Sequence, residues 1–329
     1  MKTNIYIILL LIGIFTSCKK QSAVKLPGSY LEYLDEKQIL SITAAGNEVW
    51  VLSSTVCNTC SVPGYVSSVP LNYQLTKITG NSYKVDEKTR VGKPVRDRNN
   101  HLYAKGIDYK GIYRINDIND YSLIAETSDL MVNDFVFDNN NHIWIWGTTG
   151  IGYWDGSRLE VYNSSTAGLP TDIIHGITVD ANNIVWAPLD YAGKGVLKID
   201  NGNRSIVPIT SIPGLSPDNY LANPVADDAG NIWFSTYAFA SPKIVKYDGS
   251  SWKMLPSDYD GYIIGRDQKG IVWQTRNNSS SSQGPTSLYH FTNNEWQQVN
   301  TSESKGYIYT VDVTDNNIFI GTSRGLLVK

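Results

Sequence analysis

Residues Asp227–Thr236 read D-D-A-G-N-I-W-F-S-T. An aspartate and small turn-forming residues lead into an alternating apolar stretch centred on a tryptophan. Aspartate bonds its own turn, and glycine and asparagine accept left-handed backbone, so such a run reverses the chain tightly. The stretch therefore reads as strand end, turn, strand start. It recurs. Its anchors are Trp50 in E-V-W-V, Tyr103 in H-L-Y-A, Trp144 in H-I-W-I, Trp186 in I-V-W-A, Trp233 in N-I-W-F, Trp273 in I-V-W-Q and Phe319 in N-I-F-I. The intervals are 53, 41, 42, 47, 40 and 46 residues. An aspartate stands six residues before the anchor in five copies, at Asp97, Asp138, Asp180, Asp227 and Asp267.

Each copy continues in the same way. After Trp233 come K-I-V-K-Y, D-G and S-S-W-K-M-L, and copy three has G-I-G-Y-W, D-G and S-R-L-E-V-Y. Asp-Gly between alternating apolar residues is a strong hairpin signal. Four strands per copy at this period is the pattern of a β-propeller, with four-stranded blades around a central channel. The expected fold is all-β, a seven-bladed propeller of four-stranded antiparallel blades over residues 29–329. The last copy stops on its third strand, at G-L-L-V-K. The segment Ser29–Leu34, S-Y-L-E-Y-L, is placed to supply the missing strand and close the ring, which removes an open sheet edge. The spacing agrees: Tyr30 lies 14 residues before Ala44, the position matching the repeat aspartate, as Tyr83 lies 14 before Asp97.

Composition fits strands. Tyr (21) and Trp (9) are abundant and Met (3) is scarce, and aromatic side chains suit a pleated surface. The net charge of −3 supplies no basic field, so nucleic acid is not an expected partner.

The chain opens M-K-T-N-I-Y-I-I-L-L-L-I-G-I-F-T-S-C-K-K. A lysine precedes an apolar run, Ile5 to Phe15, too short to span a bilayer comfortably, which reads as a secretory signal peptide. Phe15-Thr16-Ser17-Cys18 resembles the lipobox of bacterial lipoproteins, with Phe15 where leucine is usual. The resemblance implies residues 1–17 as signal peptide, lipid on Cys18, and residues 18–28 as lipidated cysteine and tether. The expected lipid partner is a bacterial membrane. No aspartate follows Cys18 and no acidic export run is present, which favours the outer membrane, facing the periplasm. Two further cysteines, Cys57 and Cys60 in C-N-T-C, are expected to pair outside the cytoplasm; free thiols and redox or metal chemistry are the alternatives.

D-x-x-G-N-I-W-F-S-T followed by a short glycine-containing strand resembles the two-component regulator propeller repeat, over roughly residues 29–329. Such repeats form periplasmic sensors of hybrid histidine kinases. No kinase or regulator segment is visible here, so the resemblance implies a binding or scaffold module.

In a propeller the turns between strands one and two, and three and four, share one face. Here they are short and regular. Connections between strands two and three, and between blades, lie opposite, and are irregular: Ser53–Asn72, Asp190–Gly195, Tyr237–Pro242 and Arg276–Thr286. Loops on a rigid scaffold are where binding concentrates. Inner strands are expected to bring Asn133, Asp134, His175, Asn223, Tyr262 and Tyr309 to the channel mouth on that face. Rings beside amides and carboxylates suit a small molecule, glycan or peptide; a protein partner in an envelope complex is the alternative. The streptogramin lyases use similar N-I-W-F repeats, but only His175, with Asp134 as its nearest acid, stands near the mouth. His101, His142 and His290 read as structural. No catalytic residue, cofactor or metal is assigned, since each repeat aspartate is one carboxylate and calcium needs six to eight converging oxygens. A monomer is expected. Cys18→Ala is predicted to abolish labelling by a fatty-acid analogue and to release the protein from the membrane fraction; unchanged labelling would reject the anchor.

Overall fold

A computed structural model describes residues 34–56, 70–80, 82–190, 195–237, 242–277, 286–301 and 306–329. They form seven antiparallel sheets, each with its strands in chain order. Six sheets have four strands and the seventh has three among the described residues. The blades span 38–86, 91–123, 134–162, 178–208, 220–254, 262–299 and 308–328. First strands of successive blades touch at six of the seven junctions, that of blades seven and one included, and blades two and three are joined by their shared apolar cluster and by Lys105 bonding Asn133. The sheets therefore form a closed ring, the seven-bladed propeller expected from the repeat. All seven anchors lie on second strands.

The turn aspartates are buried and use both oxygens. Asp227 Oδ1 accepts the Asn231 amide at 2.8 Å, and Oδ2 accepts Asn231 Nδ2 at 2.7 Å and Trp233 Nε1 at 2.8 Å. Asp180 and Asp267 repeat this, each accepting two turn amides on Oδ1 and the indole of Trp186 or Trp273 on Oδ2, at 3.0 and 2.9 Å. In blades two and three a histidine intervenes. His101 and His142 Nδ1 lie 3.0 and 3.2 Å from Asp97 and Asp138 Oδ2. Both are thus structural, and Trp144 Nε1 has no partner among the described residues. In blade one the turn is a residue shorter, pairing Thr43 with Trp50, where blade five pairs Val225 with Trp233. Ala44 therefore sits in the ladder opposite Val49, one step inside the aspartate position expected for it, and Trp50 Nε1 bonds Glu48 Oε1 at 2.7 Å instead.

The anchors lie between blades. Seven apolar clusters fill the molecule, one per blade junction, and each contains one anchor. Trp50, Trp233 and Phe319 are fully buried. Removing such a ring costs roughly 3–5 kcal/mol, so the ring of blades rests on these wedges.

Of the expected closing strand Ser29–Leu34, only Leu34 is among the described residues. It is buried in the junction of blades seven and one with Phe319, beside Leu326 and Val328. Cys18 and the C-N-T-C cysteines, Cys57 and Cys60, lie outside the described residues.

One carboxylate also fastens this junction. Asp312, opposite Phe319 in blade seven, accepts the amide of Ala44 in blade one at 2.8 Å. Burial raises its carboxyl from 3.8 to about 6, reinforced by Asp267 and opposed by the two amides it accepts and by Lys93. The folded chain thus holds this proton more tightly than the unfolded chain does. The contribution is full below about pH 4 and is lost as pH rises through 6. Asp312→Asn should remove a stability difference of about 2 kcal/mol between pH 4 and pH 8; equal slopes for the two proteins in denaturant titrations across that range would refute it.

Candidate functional site

The irregular face carries three side-chain clusters. The first joins blades two and three. Lys105 Nζ donates to the Asn133 carbonyl at 2.6 Å and lies 4.2 Å above the Tyr109 ring. Burial holds Lys105 below the usual lysine range, with Asp134 opposing. Lys93 Nζ stands 3.7 Å from Asp134 Oδ2. The Asn133 amide donates to the Trp146 carbonyl at 2.8 Å. Asn133 and Asp134 are thus held at the junction of blades two and three by backbone bonding and two lysines.

The second cluster joins blades four and five. The His175 and Tyr220 rings stack, with centroids 4.5 Å apart and planes 25° from parallel. The backbone sets this up. His175 N donates to the Pro188 carbonyl at 2.9 Å, and Asn223 N donates to the His175 carbonyl at 3.1 Å. Asn223 adopts φ 51° where the first strand of blade five bulges between Ala222 and Val225. Asparagine tolerates that conformation, and a bulge beside a site re-aims its side chains. Gly176 is required by contact: a Cβ there would lie 2.4 Å from Pro224 Cδ. Burial lowers the His175 pKa and Asp190 opposes the shift, so the imidazole is predominantly neutral at pH 7.

The third cluster joins blades five and six. The Arg276 guanidinium lies 3.8 Å from the Tyr289 ring centroid, and its Nη1 donates to the Asp258 carbonyl at 2.7 Å. With its amide oriented to accept, buried Gln274 takes Arg276 Nη2 and Nε at 2.7 and 2.6 Å. Lys243 pairs with Asp260 at 2.5 Å. Among the expected site residues, Tyr262 and Tyr309 are exposed on the first strands of blades six and seven.

The structure brings His175 and Asn223 together through their backbones, and keeps Asn133 with Asp134 at another junction. The acid whose field acts on His175 is Asp190, at the start of the D-Y-A-G-K-G connection, and not Asp134, which faces Lys93 and Lys105. Tyr220, Lys93, Lys105 and Arg276 escaped the sequence reading. Tyr220 opens an inner strand as Tyr262 and Tyr309 do, and that position was the available signal. Among the described residues no group of three or more His, Cys, Asp or Glu could hold a metal.

No family model and no curated protein matches the sequence. Solved structures do match the fold. The extracellular domain of the putative hybrid two-component system BT3049 from B. thetaiotaomicron aligns over 89% of this chain and 39% of its own, with 16% identity and a TM-score of 0.63. Virginiamycin B lyase from Staphylococcus aureus, an inactive variant with quinupristin, aligns over 89% of this chain and 94% of its own, with 15% identity and a TM-score of 0.60. YCF48 bound to D1 peptide aligns over 93% and 95%, with 14% identity and a TM-score of 0.59. The chain spans about two fifths of the extracellular domain it matches. It shares with all three a propeller fold.

In a histidine titration followed by NMR, His175 should titrate below an ordinary imidazole, and Asp190→Asn should lower its midpoint further. A midpoint that rose in the variant would exclude Asp190 as its charge partner.

Proposed function

We propose that this chain is an envelope-anchored lipoprotein whose propeller recognises a small hydroxyl-rich ligand, such as a glycan unit, at its irregular face. The His175–Tyr220 stack carries the reading: two flat polar rings at the mouth, one a predominantly neutral imidazole. Such rings stack on sugar or peptide faces while their polar atoms orient hydroxyls. Exposed Tyr262 and Tyr309 add ring surface around the same channel. The sensor domains with this fold are extracellular, which supports an envelope-facing location. The Cys18 lipid would hold the chain at the outer membrane, facing the periplasm.

A lyase is the second reading, favoured by the near full-length likeness to virginiamycin B lyase and by an imidazole able to accept a proton at neutral pH. Its mechanism would need a base within hydrogen-bond reach of substrate, and His175 is the residue for that role.

Glycan arrays and thermal-shift screens on the chain lacking residues 1–18 test the two. A stabilising saccharide whose effect falls at least tenfold in Tyr220→Ala supports recognition. Absence of any such ligand rejects it, and turnover of a streptogramin that His175→Ala abolishes would establish the lyase instead.

A further inference from the structure

A cleft of about 450 Å³ opens on the outer rim between blades five and six, away from the channel mouth. Its lining includes the rings of Trp233, Phe291 and Trp296 and the charged Lys246, Lys253 and Asp248. Asn294 of the blade-six turn, and Pro256 and Tyr259 of the connection between the two blades, also line it. The rings contact one another: Phe291 lies 4.5 Å from Trp233 and 5.3 Å from Trp296. Lys246 Nζ stands 5.0 Å above Trp233. Trp296 Nε1 is buried and has no hydrogen-bond partner among the described residues.

The lysines conflict with the local rules. Lys246 and Lys253 are direct cross-strand partners, and like charges placed so repel. Neither has a salt bridge among the described residues, and Asp248, the nearby carboxylate, instead accepts four hydrogen bonds from Ser250 and Ser251 of its own turn. Where local choices oppose the fold, a functional constraint is the usual cause.

The same molecule contains the resolved version of this arrangement. In blade one Trp50, Lys77 and Lys84 form the same cross-strand row that Trp233, Lys246 and Lys253 form in blade five. There a carboxylate lies between the two ammoniums. Asp117, which closes the last hairpin of blade two, stands 3.1 Å from Lys77 and 2.7 Å from Lys84, and Glu48 of blade one adds a second carboxylate 3.1 Å from Lys77. Its hydrogen bond to Lys84 is the leading cause that holds its carboxyl down, at about 2. Blade six supplies the corresponding hairpin, but Thr292, paired with Glu295 as Asp117 is paired with Asp120, stands at the Asp117 position, and of its turn residues Asn293-Asn294 the second lines the cleft. The row is repeated without a carboxylate bridging its two lysines among the described residues.

We propose that the rim cleft between blades five and six binds a carboxylate from another polypeptide, an Asp or Glu beside an apolar residue, which takes the place that Asp117 fills between blades one and two. Lys246 and Lys253 hold the carboxylate. The Trp233, Phe291 and Trp296 rings hold the neighbouring apolar side chain, and the free indole N–H of Trp296 donates to the segment. This site is distinct from the His175–Tyr220 cluster and does not depend on its ligand, although Tyr259 in its wall lies 5.6 Å from Arg276 of the third cluster.

The internal hairpin supplies the probe. A cyclised peptide copying Ile115–Tyr121, I-N-D-I-N-D-Y, is titrated into the ¹⁵N-labelled chain lacking residues 1–18, and the Trp indole cross-peaks are followed. Saturable movement of the Trp296 indole peak is expected, at least tenfold weaker for I-N-N-I-N-N-Y. Lys246→Gln with Lys253→Gln should weaken binding at least tenfold, and the paired Arg variants should retain it. Asn294→Asp, which installs an internal carboxylate, should block the peptide while the chain stays folded. Lys253→Gln alone should raise the melting temperature by about 1 °C, because it relieves the opposed charges. Equal response to both peptides, unchanged binding in the Gln pair, a lowered melting temperature in Lys253→Gln, or movement of the Trp296 peak by tri-galacturonate but not by the acidic peptide would each overturn the proposal.

Discussion

The structure depends on a carboxylate that does two jobs at once. In blades four, five and six one oxygen of the repeat aspartate satisfies turn amides, and the other holds the indole that wedges the next blade. The bond holds a large ring in place at the junction, where the next blade packs against it. It also supplies the partner that a buried indole N–H otherwise lacks, and an unpaired buried donor costs roughly 1–3 kcal/mol. Turn, ladder and blade packing are coupled through six residues of chain.

Where that clasp is modified, the molecule shows why it matters. Histidine takes the second oxygen in blades two and three, and the blade-three indole is then left without a partner among the described residues. Blade one shortens the turn and uses Glu48. Blade seven has a phenylalanine, which needs no acceptor, and places Asp312 across the junction to blade one. The exceptions of blades one and seven flank the junction where the ring closes, and closure there brings a buried carboxyl whose proton is held more tightly than in the unfolded chain.

On the regular face the hairpin carboxylates serve their own turns. Asp155 Oδ1 and both oxygens of Asp248 accept amides and hydroxyls of the hairpins they start. The irregular face differs, because its connections vary in length and expose rings and cations held by neighbouring blades. The rim is a third environment. Rows of side chains run from inner to outer strand across each blade, and the outer members meet whatever the next blade presents. Trp-Lys-Lys is neutralised by Asp117 and Glu48 at one junction and shares a cleft with Asn294 at another.

The fold was legible because its signal is local and repeated. Asp, Gly, Asn and Trp at fixed offsets specify a turn and a wedge, and seven anchors near a common period specify the ring. His101 and His142 could be set aside as structural from their place in the turns. Site residues were legible as positions only: Asn133, Asp134, His175, Asn223, Tyr262 and Tyr309 were read from the starts of inner strands, with no indication of which would meet. The pairing of His175 with Tyr220 and Asp190, the shift of Ala44 by one ladder step, and the contrast between the two lysine rows were decided by tertiary structure. Each depends on contacts between residues of different strands or blades, where side-chain register and blade curvature set the distance and sequence spacing carries no record of it.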